Sequence, residues 1–309
     1  MCGIAGIIYQ DGLHPVGTDM TRMLQSMKHR GPDSTGYALY GTPNAHVIMR
    51  YKLADANTPR DFEFADRLRR HQTQVEARLS SLGAEIQSIE RETEYAYRAT
   101  FTYDGDLKLL ADTVEDVTDA EVLSLGHSLE IVKDLGDAES VAEEYELGAF
   151  TGTHAIGHVR MATESDVDIS GAHPYWAYPF GDVAVVHNGQ LTNYHQWRRR
   201  LERSGHRFQS ECDSEIIAVY LAEKMHADYT LEEAMRQSLE DLDGVFTYIC
   251  VTKDALGVAK DELAAKPLVL YEGDDMVALA SEEIAIRAIV DHEIPTYDPY
   301  EGEVLVWTR

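Results

Sequence analysis

Positive charge is what this sequence most lacks: 27 Lys and Arg stand against 54 Asp and Glu, a formal net charge of −27. A surface this acidic repels phosphate backbones and anionic lipid, which excludes nucleic acid and membrane surfaces as expected partners. The excess acid is read as a solubility device. Cysteine is also scarce. The three cysteines, at 2, 212 and 250, are odd in number and far apart, which excludes a disulfide framework, and no pair has metal-ligand spacing. A reducing cytoplasm is the expected location. No apolar run approaches the roughly 18–20 residues that span a bilayer, and the opening Met1-Cys2-Gly3-Ile4 lacks the basic start of a secretory signal. There is no glycine-rich phosphate loop and no internal repeat. What remains is a chain of 309 residues, 44% hydrophobic and 26% charged, with the composition of a globular protein of one large domain or two small ones.

Along the chain, residues 3–9 read as a buried strand. Met20, Met23, Leu24 and Met27 recur at helical spacing, predicting a helix over 18–28 capped by Thr18. The breaker-rich stretch His29-Arg30-Gly31-Pro32-Asp33-Ser34 reads as a loop, followed by strands near 36–40 and 46–50. Residues 52–147 change character. Leu68, Val75, Leu79, Leu82, Ile86 and Ile89 form a heptad-like stripe that predicts one charged helix from Asp61 to Glu92. Tyr95, Tyr97, Ala99, Phe101 and Tyr103 then alternate as a half-buried strand ending at Asp104-Gly105. This block is read as an insertion whose helix covers the main domain or pairs with another chain. Beyond it, strands are expected at 153–160, 182–187, 244–252, 255–259, 267–271, 275–280 and 302–307. Helices are expected at 213–226 and 230–242. Many strands with a few packed helices imply an α+β layered sandwich.

Cys2 is followed by the small Gly3, so removal of Met1 would expose a thiol and an α-amine on one residue. An α-amine has an ordinary pKa of about 8, so its neutral fraction can take the thiol proton and act as a built-in base. Alone, Cys2 would be an arbitrary residue at a frayed end. It stands, however, with His29–Ser34, with Gly157-His158-Val159-Arg160-Met161-Ala162-Thr163, with His187-Asn188-Gly189-Gln190-Leu191, and with Cys212-Asp213-Ser214-Glu215. In this order the five motifs resemble the class II glutamine amidotransferases, over roughly residues 2–50 and 150–309. Ala172–Trp176, Val185–Tyr194 and Leu201–Phe208 further resemble stand-alone amidotransferase subunits of glutamate-synthase-like and N-methylglutamate synthase complexes.

The resemblance implies a four-layer αββα sandwich of N-terminal-nucleophile type: one amidotransferase domain over 1–309 with an insertion at about 52–147. It implies glutamine hydrolysis through a Cys2 γ-glutamyl thioester. The tetrahedral oxyanion would need donors where charge develops. Asn188 offers its side-chain amide and Gly189 its backbone N–H, although Asn-Gly is by itself a hairpin signal. Arg160 offers a fork for the substrate carboxylate, helped by Thr163. Asp213, otherwise a helix cap, would take the ammonium. Arg30 resembles the loop arginine that orders the entrance. Histidines 154, 158, 173 and 187 invite a metal reading. His154 and His158 sit four apart in a strand, however, so no metal is expected and Cys212 and Cys250 are read as inert core thiols. No cofactor is expected in this chain. No acceptor chemistry is visible before Arg309, so a synthase partner is expected in a hetero-oligomer, with any flavin or iron–sulfur cluster on that partner. Two rivals remain open: a non-catalytic amino-acid-binding regulatory subunit, and an N-terminal-nucleophile amidase for other amides.

Overall fold

The apolar run after Cys2 has no polar alternation, and it forms a strand buried on both faces, β1 (Gly3–Tyr9). A computed structural model describes residues 2–43, 45–161 and 169–309. Strand β1 lies inside a six-stranded antiparallel sheet ordered β13-β14-β1-β8-β2-β7. The other members are β2 (Ser34–Tyr40), β7 (Leu129–Leu135), β8 (His154–Arg160), β13 (Val269–Glu272) and β14 (Met276–Ala280). A second, five-stranded antiparallel sheet is ordered β15-β12-β11-β10-β9. It contains β9 (Tyr175–Trp176), β10 (Ala184–Leu191), β11 (Gly244–Val251), β12 (Ala255–Lys260) and β15 (Val304–Thr308).

Side-chain alternation shows how the sheets stack. On β8, a Cβ at Gly157 would meet Met20 and Leu24 of helix α1 (Val16–Ser26), so that face turns outward to a helix. His154, on the opposite face of the same strand, donates from Nε2 to the Thr252 carbonyl beyond the end of β11 at 2.7 Å, so the His154-Ile156-His158-Arg160 face turns toward the second sheet. Helices α4 (Ala138–Glu144) and α8 (Glu283–Arg287) join α1 on the outside. Helices α5 (Tyr194–Arg203), α6 (Asp213–His226) and α7 (Leu231–Asp241) form the opposite outer layer. The result is the expected helix–sheet–sheet–helix sandwich.

Residues 52–147 differ from the reading of one long helix. Helix α2 (Phe64–Ser81) stops at Ser81, and Gly83 takes a φ of +86° that a helix does not allow. Ile86 and Ile89 belong to strand β4 (Glu85–Arg91). With β3 (Val47–Lys52), β5 (Ala96–Thr102) and β6 (Glu121–Gly126), it forms a third sheet ordered β4-β5-β3-β6. The helix buries Leu68, Val75 and Leu79 within this same chain, where Gln72 accepts the Tyr51 hydroxyl at 2.6 Å and α3 (Leu107–Glu115) packs alongside. The block is also tied to the main sheet. Its β7 pairs with β2 from Ser34↔Leu135 to Tyr40↔Leu129. Buried Arg50 joins the two parts by reaching Glu130 of β7 at 2.7 Å.

At the first helix, Pro15 rather than Thr18 occupies the capping position. Proline presets the backbone there, whereas Thr18 lies inside the first turn and donates to the Gly148 carbonyl.

Candidate active site

Strand β1 begins one residue after Cys2. Gly3 pairs with Val159 and Ile4 with His158, and the same register carried back one residue sets Cys2 opposite Arg160, itself paired with Ser34 on β2. Opposed residues in an antiparallel pair share a face. Cys2 and Arg160 therefore both belong to the inward face defined by His154 and His158. The turn Lys28–Arg30 brings Arg30 to the backbone of Cys2: its Nε donates to the Cys2 carbonyl at 3.1 Å. Gly31 lies against the Arg160 backbone, where an added Cβ would be 2.4 Å from the carbonyl carbon. Gly171 lies against the other end, where a Cβ would be 2.6 Å from Arg160 Nη2. Arg160 is thus enclosed between two glycines. Thr163 lies outside the described residues.

The second sheet supplies Asn188 and Gly189. They do not form a hairpin turn, because β10 runs on to Leu191 and pairs in register from Ala184↔Val251 to Leu191↔Gly244. Val185 packs among the α6 and α7 side chains, while Ala184 and Val186 pack between the sheets. By alternation Asn188 shares the inter-sheet face, toward Cys2 and Arg160. It is 5% exposed, and its Nδ2 is buried without a hydrogen-bond partner among the described residues. A buried amide N–H without a partner is costly, and this one is a donor that an incoming acceptor could satisfy.

The backbone of Gly189 is oriented by the same strand geometry. Strand β9 pairs only with Ala184 and Val185, so the far half of that β10 edge is open among the described residues. There the Leu191 N–H leaves the strand to reach Asp213 Oδ2 at 2.8 Å. Strand N–H groups alternate sides, so that of Gly189, two residues earlier, leaves by the same open edge. Its φ of +149° and a hypothetical Cβ only 2.2 Å from the Val245 carbonyl oxygen restrict this position to glycine.

Asp213 is the first residue of α6 and not its cap, which is Cys212. Burial opposes its charge, but His187, 3.5 Å away, and the Leu191 amide hold its carboxyl below the usual carboxylate range. Behind it, Ser214 links the middle of β10 to the segment before β9 through histidines that the motifs alone leave without a role. His187 Nδ1 lies 2.8 Å and His173 Nε2 2.5 Å from its hydroxyl. The nearby Asp213 carboxylate favours the proton on His187 Nδ1, leaving Ser214 to donate to His173. His158 packs against His173 with ring centroids 4.0 Å apart and the ring planes tilted by 37°. Burial, reinforced by the neighbouring histidines and Arg160, pushes the His158 pKa down to about 3 and that of His173 well below its ordinary value. These are neutral structural rings. Among the described residues, no group of three or more His, Cys, Asp or Glu is placed to hold a metal ion. Burial pushes the Cys212 and Cys250 thiols up, which makes them poor nucleophiles.

Sequence patterns do not point to Glu282. It binds Arg30 Nη1 at 2.6 Å and His29 at 3.1 Å. Its only sequence signal is that it follows a strand, and 252 residues separate it from Arg30.

This stacked-sheet architecture is shared with the glutamine phosphoribosylpyrophosphate amidotransferase of Bacillus subtilis, at a TM-score of 0.61 and 20% identity. The likeness covers 99% of this chain and 47% of that one, so this chain spans about half the length of the solved enzyme. The fold is therefore that of the N-terminal-nucleophile glutamine amidotransferases. Residues 158–288 match the glutamine amidotransferase domain family. The chain is 42% identical to a protein of Methanothermobacter thermautotrophicus named as a candidate glutamine amidotransferase, over 99% of both chains. It is 33% identical to the glutamine amidotransferase-like protein GlxB of Rhizobium meliloti, over 99% of this chain and 98% of that one. The chain belongs to the class II glutamine amidotransferase family. Among the described residues no helix is long and apolar enough to cross a membrane.

Proposed function

We propose that this chain hydrolyses L-glutamine through Cys2 and delivers the product to a synthase partner. What supports the reading is the register of β1 on β8, which carried one residue past Gly3 sets Cys2 opposite Arg160 on the inward face, together with the Asn188 amide of the second sheet, which has no partner among the described residues. With Met1 removed, the neutral α-amine of Cys2 takes the thiol proton, and the thiolate attacks the side-chain amide carbon of glutamine. Asn188 Nδ2 and the Gly189 N–H receive the oxyanion. The tetrahedral adduct collapses as the α-ammonium returns its proton to the departing nitrogen, which leaves as ammonia. Water, deprotonated by the same amine, then attacks the γ-glutamyl thioester, and glutamate leaves as the Cys2 thiol is restored. Arg160, with Thr163, pairs the substrate α-carboxylate, and Asp213 pairs the α-ammonium. Arg30 orders the entrance.

The segments Ala172–Trp176, Val185–Tyr194 and Leu201–Phe208 support assignment to a glutamate-synthase-like or N-methylglutamate synthase complex. In such a hetero-oligomer a partner would accept ammonia, or the glutamyl group, and carry any flavin or iron–sulfur cluster. Intact mass before and after a reactive glutamine analogue, with Cys2→Ala alongside, tests the reading. Loss of Met1 and one adduct confined to the Cys2 form are expected. Retained Met1, or no adduct even with the synthase partner present, would replace this function with a non-catalytic amino-acid-binding subunit.

A further inference from the structure

The nucleophile proposed above is a chain end, and chain ends are poorly ordered unless tied down. Residues 281–282, just beyond β14, do the tying. The Ser281 N–H donates to the Ile4 carbonyl at 2.9 Å, and the Ile4 N–H donates to Ser281 Oγ at 3.0 Å. Ser281 therefore holds both backbone groups of the residue two beyond Cys2, and it is 2% exposed. Glu282 next to it accepts from Arg30 Nη1 at 2.6 Å, and Arg30 Nε donates to the Cys2 carbonyl at 3.1 Å. The arginine stem crosses Gly3 closely, since an added Cβ there would be 3.3 Å from Arg30 Cδ and 2.9 Å from Val159 Cγ2.

We propose that Ser281-Glu282 is a positioning clamp for the nucleophile, in which Ser281 fixes the strand carrying Cys2 and Glu282 aims Arg30 at the Cys2 carbonyl. This rests on the reading of Cys2 as the nucleophile. Thiol and α-amine both hang from the Cys2 Cα, and a held carbonyl fixes the peptide plane from which that Cα is carried. A single guanidinium can do this because its donors form a rigid fork: Nη1 is anchored on a carboxylate, so Nε has one direction left. Burial opposes the charge on Glu282, but the hydrogen bonds from Arg30 and His29 hold its carboxyl below the usual range, so the anchor is ionised and charge-assisted. A helix-capping role does not account for Glu282. It precedes α8, yet its side chain makes no capping hydrogen bond.

The experiment is a double-mutant cycle on the full chain with Arg30→Met and Glu282→Gln, read by glutamine hydrolysis, thermal melting and amide exchange of Gly3 and Ile4 by NMR. Glu282→Gln is expected to lower kcat about tenfold with KM and Tm little changed, and to speed exchange at Gly3 and Ile4. In the Arg30→Met background it should add no further loss. A second full loss in that background, a loss confined to KM or Tm, or unchanged exchange would overturn the clamp. A wild-type chain inert to glutamine and its analogue would refute the glutaminase reading instead, and the exchange arm would still decide the clamp.

Discussion

Gly31 lies so close beneath Arg160 that a Cβ would stand 2.4 Å from its carbonyl carbon and 2.6 Å from its amide nitrogen. The backbone of Gly31 is extended, with φ of −166°, so the restriction is steric and not conformational. Both neighbours are main chain and cannot rotate aside. Gly31→Ala should cost about 1–3 kcal/mol of stability and weaken glutamine use. Urea unfolding and steady-state kinetics would check both.

Gly171 approaches the other end of the same arginine, but there a Cβ would meet guanidinium nitrogens at 2.6–2.9 Å. A side-chain tip can move where a backbone cannot. Gly171→Ala should therefore leave Tm nearly unchanged and raise KM for glutamine about tenfold or more, through displacement of the carboxylate fork. An unchanged KM would remove Arg160 from the substrate site.

Asn188 Nδ2 has no partner among the described residues, so its removal breaks no existing side-chain bond. Asn188→Ala is expected to lower kcat by about 10²–10³ with a much smaller change in KM, the mark of a donor used in the transition state. A matching rise in KM would recast Asn188 as a ground-state binding residue.

Buried neutral histidines make stability depend on pH. Burial lowers the pKa of His154 to about 4 and that of His158 to about 3. In the unfolded chain both titrate at about 6.5. Below that pH the unfolded state binds protons that the native state refuses, so stability falls as pH drops from about 6.5 toward 4. Each ring contributes a slope of up to about 1.4 kcal/mol per pH unit. Replacing His154 with Gln should flatten the profile by one proton's slope, measured as urea midpoints between pH 7 and pH 5. An unchanged slope would mean that His154 is protonated in the folded protein.

Much of the candidate site is legible in the amino-acid sequence, because its chemistry is written in residue types. Cys2, Arg160, Asn188, Gly189 and Asp213 each stand in a short motif, and the helix expected at 213–226 has those same ends in the fold. Sequence and fold part company where a local pattern has two solutions. The apolar spacing from Leu68 to Ile89 fits a continuous helix, yet Gly83 breaks it and Ile86 and Ile89 pack as strand residues. Asn188-Gly189 carries a turn signature that pairing with Thr247 and Phe246 overrides.

Residue types, their local spacing and the family resemblance of five short motifs were enough to indicate the class of protein and the layered arrangement of strands and helices. Alternation, breakers and side-chain functional groups act over a few residues, and a few residues suffice to read them. The assembled fold was needed to set the strand after Cys2 beside the strand that ends in Arg160, to send the Gly189 N–H out by an edge of β10 that is open among the described residues, and to bring Glu282 to Arg30 across 252 residues. Those relations depend on register and sheet order. Both are set by the pairing of distant strands, where a shift of one residue would turn every side chain to the opposite face.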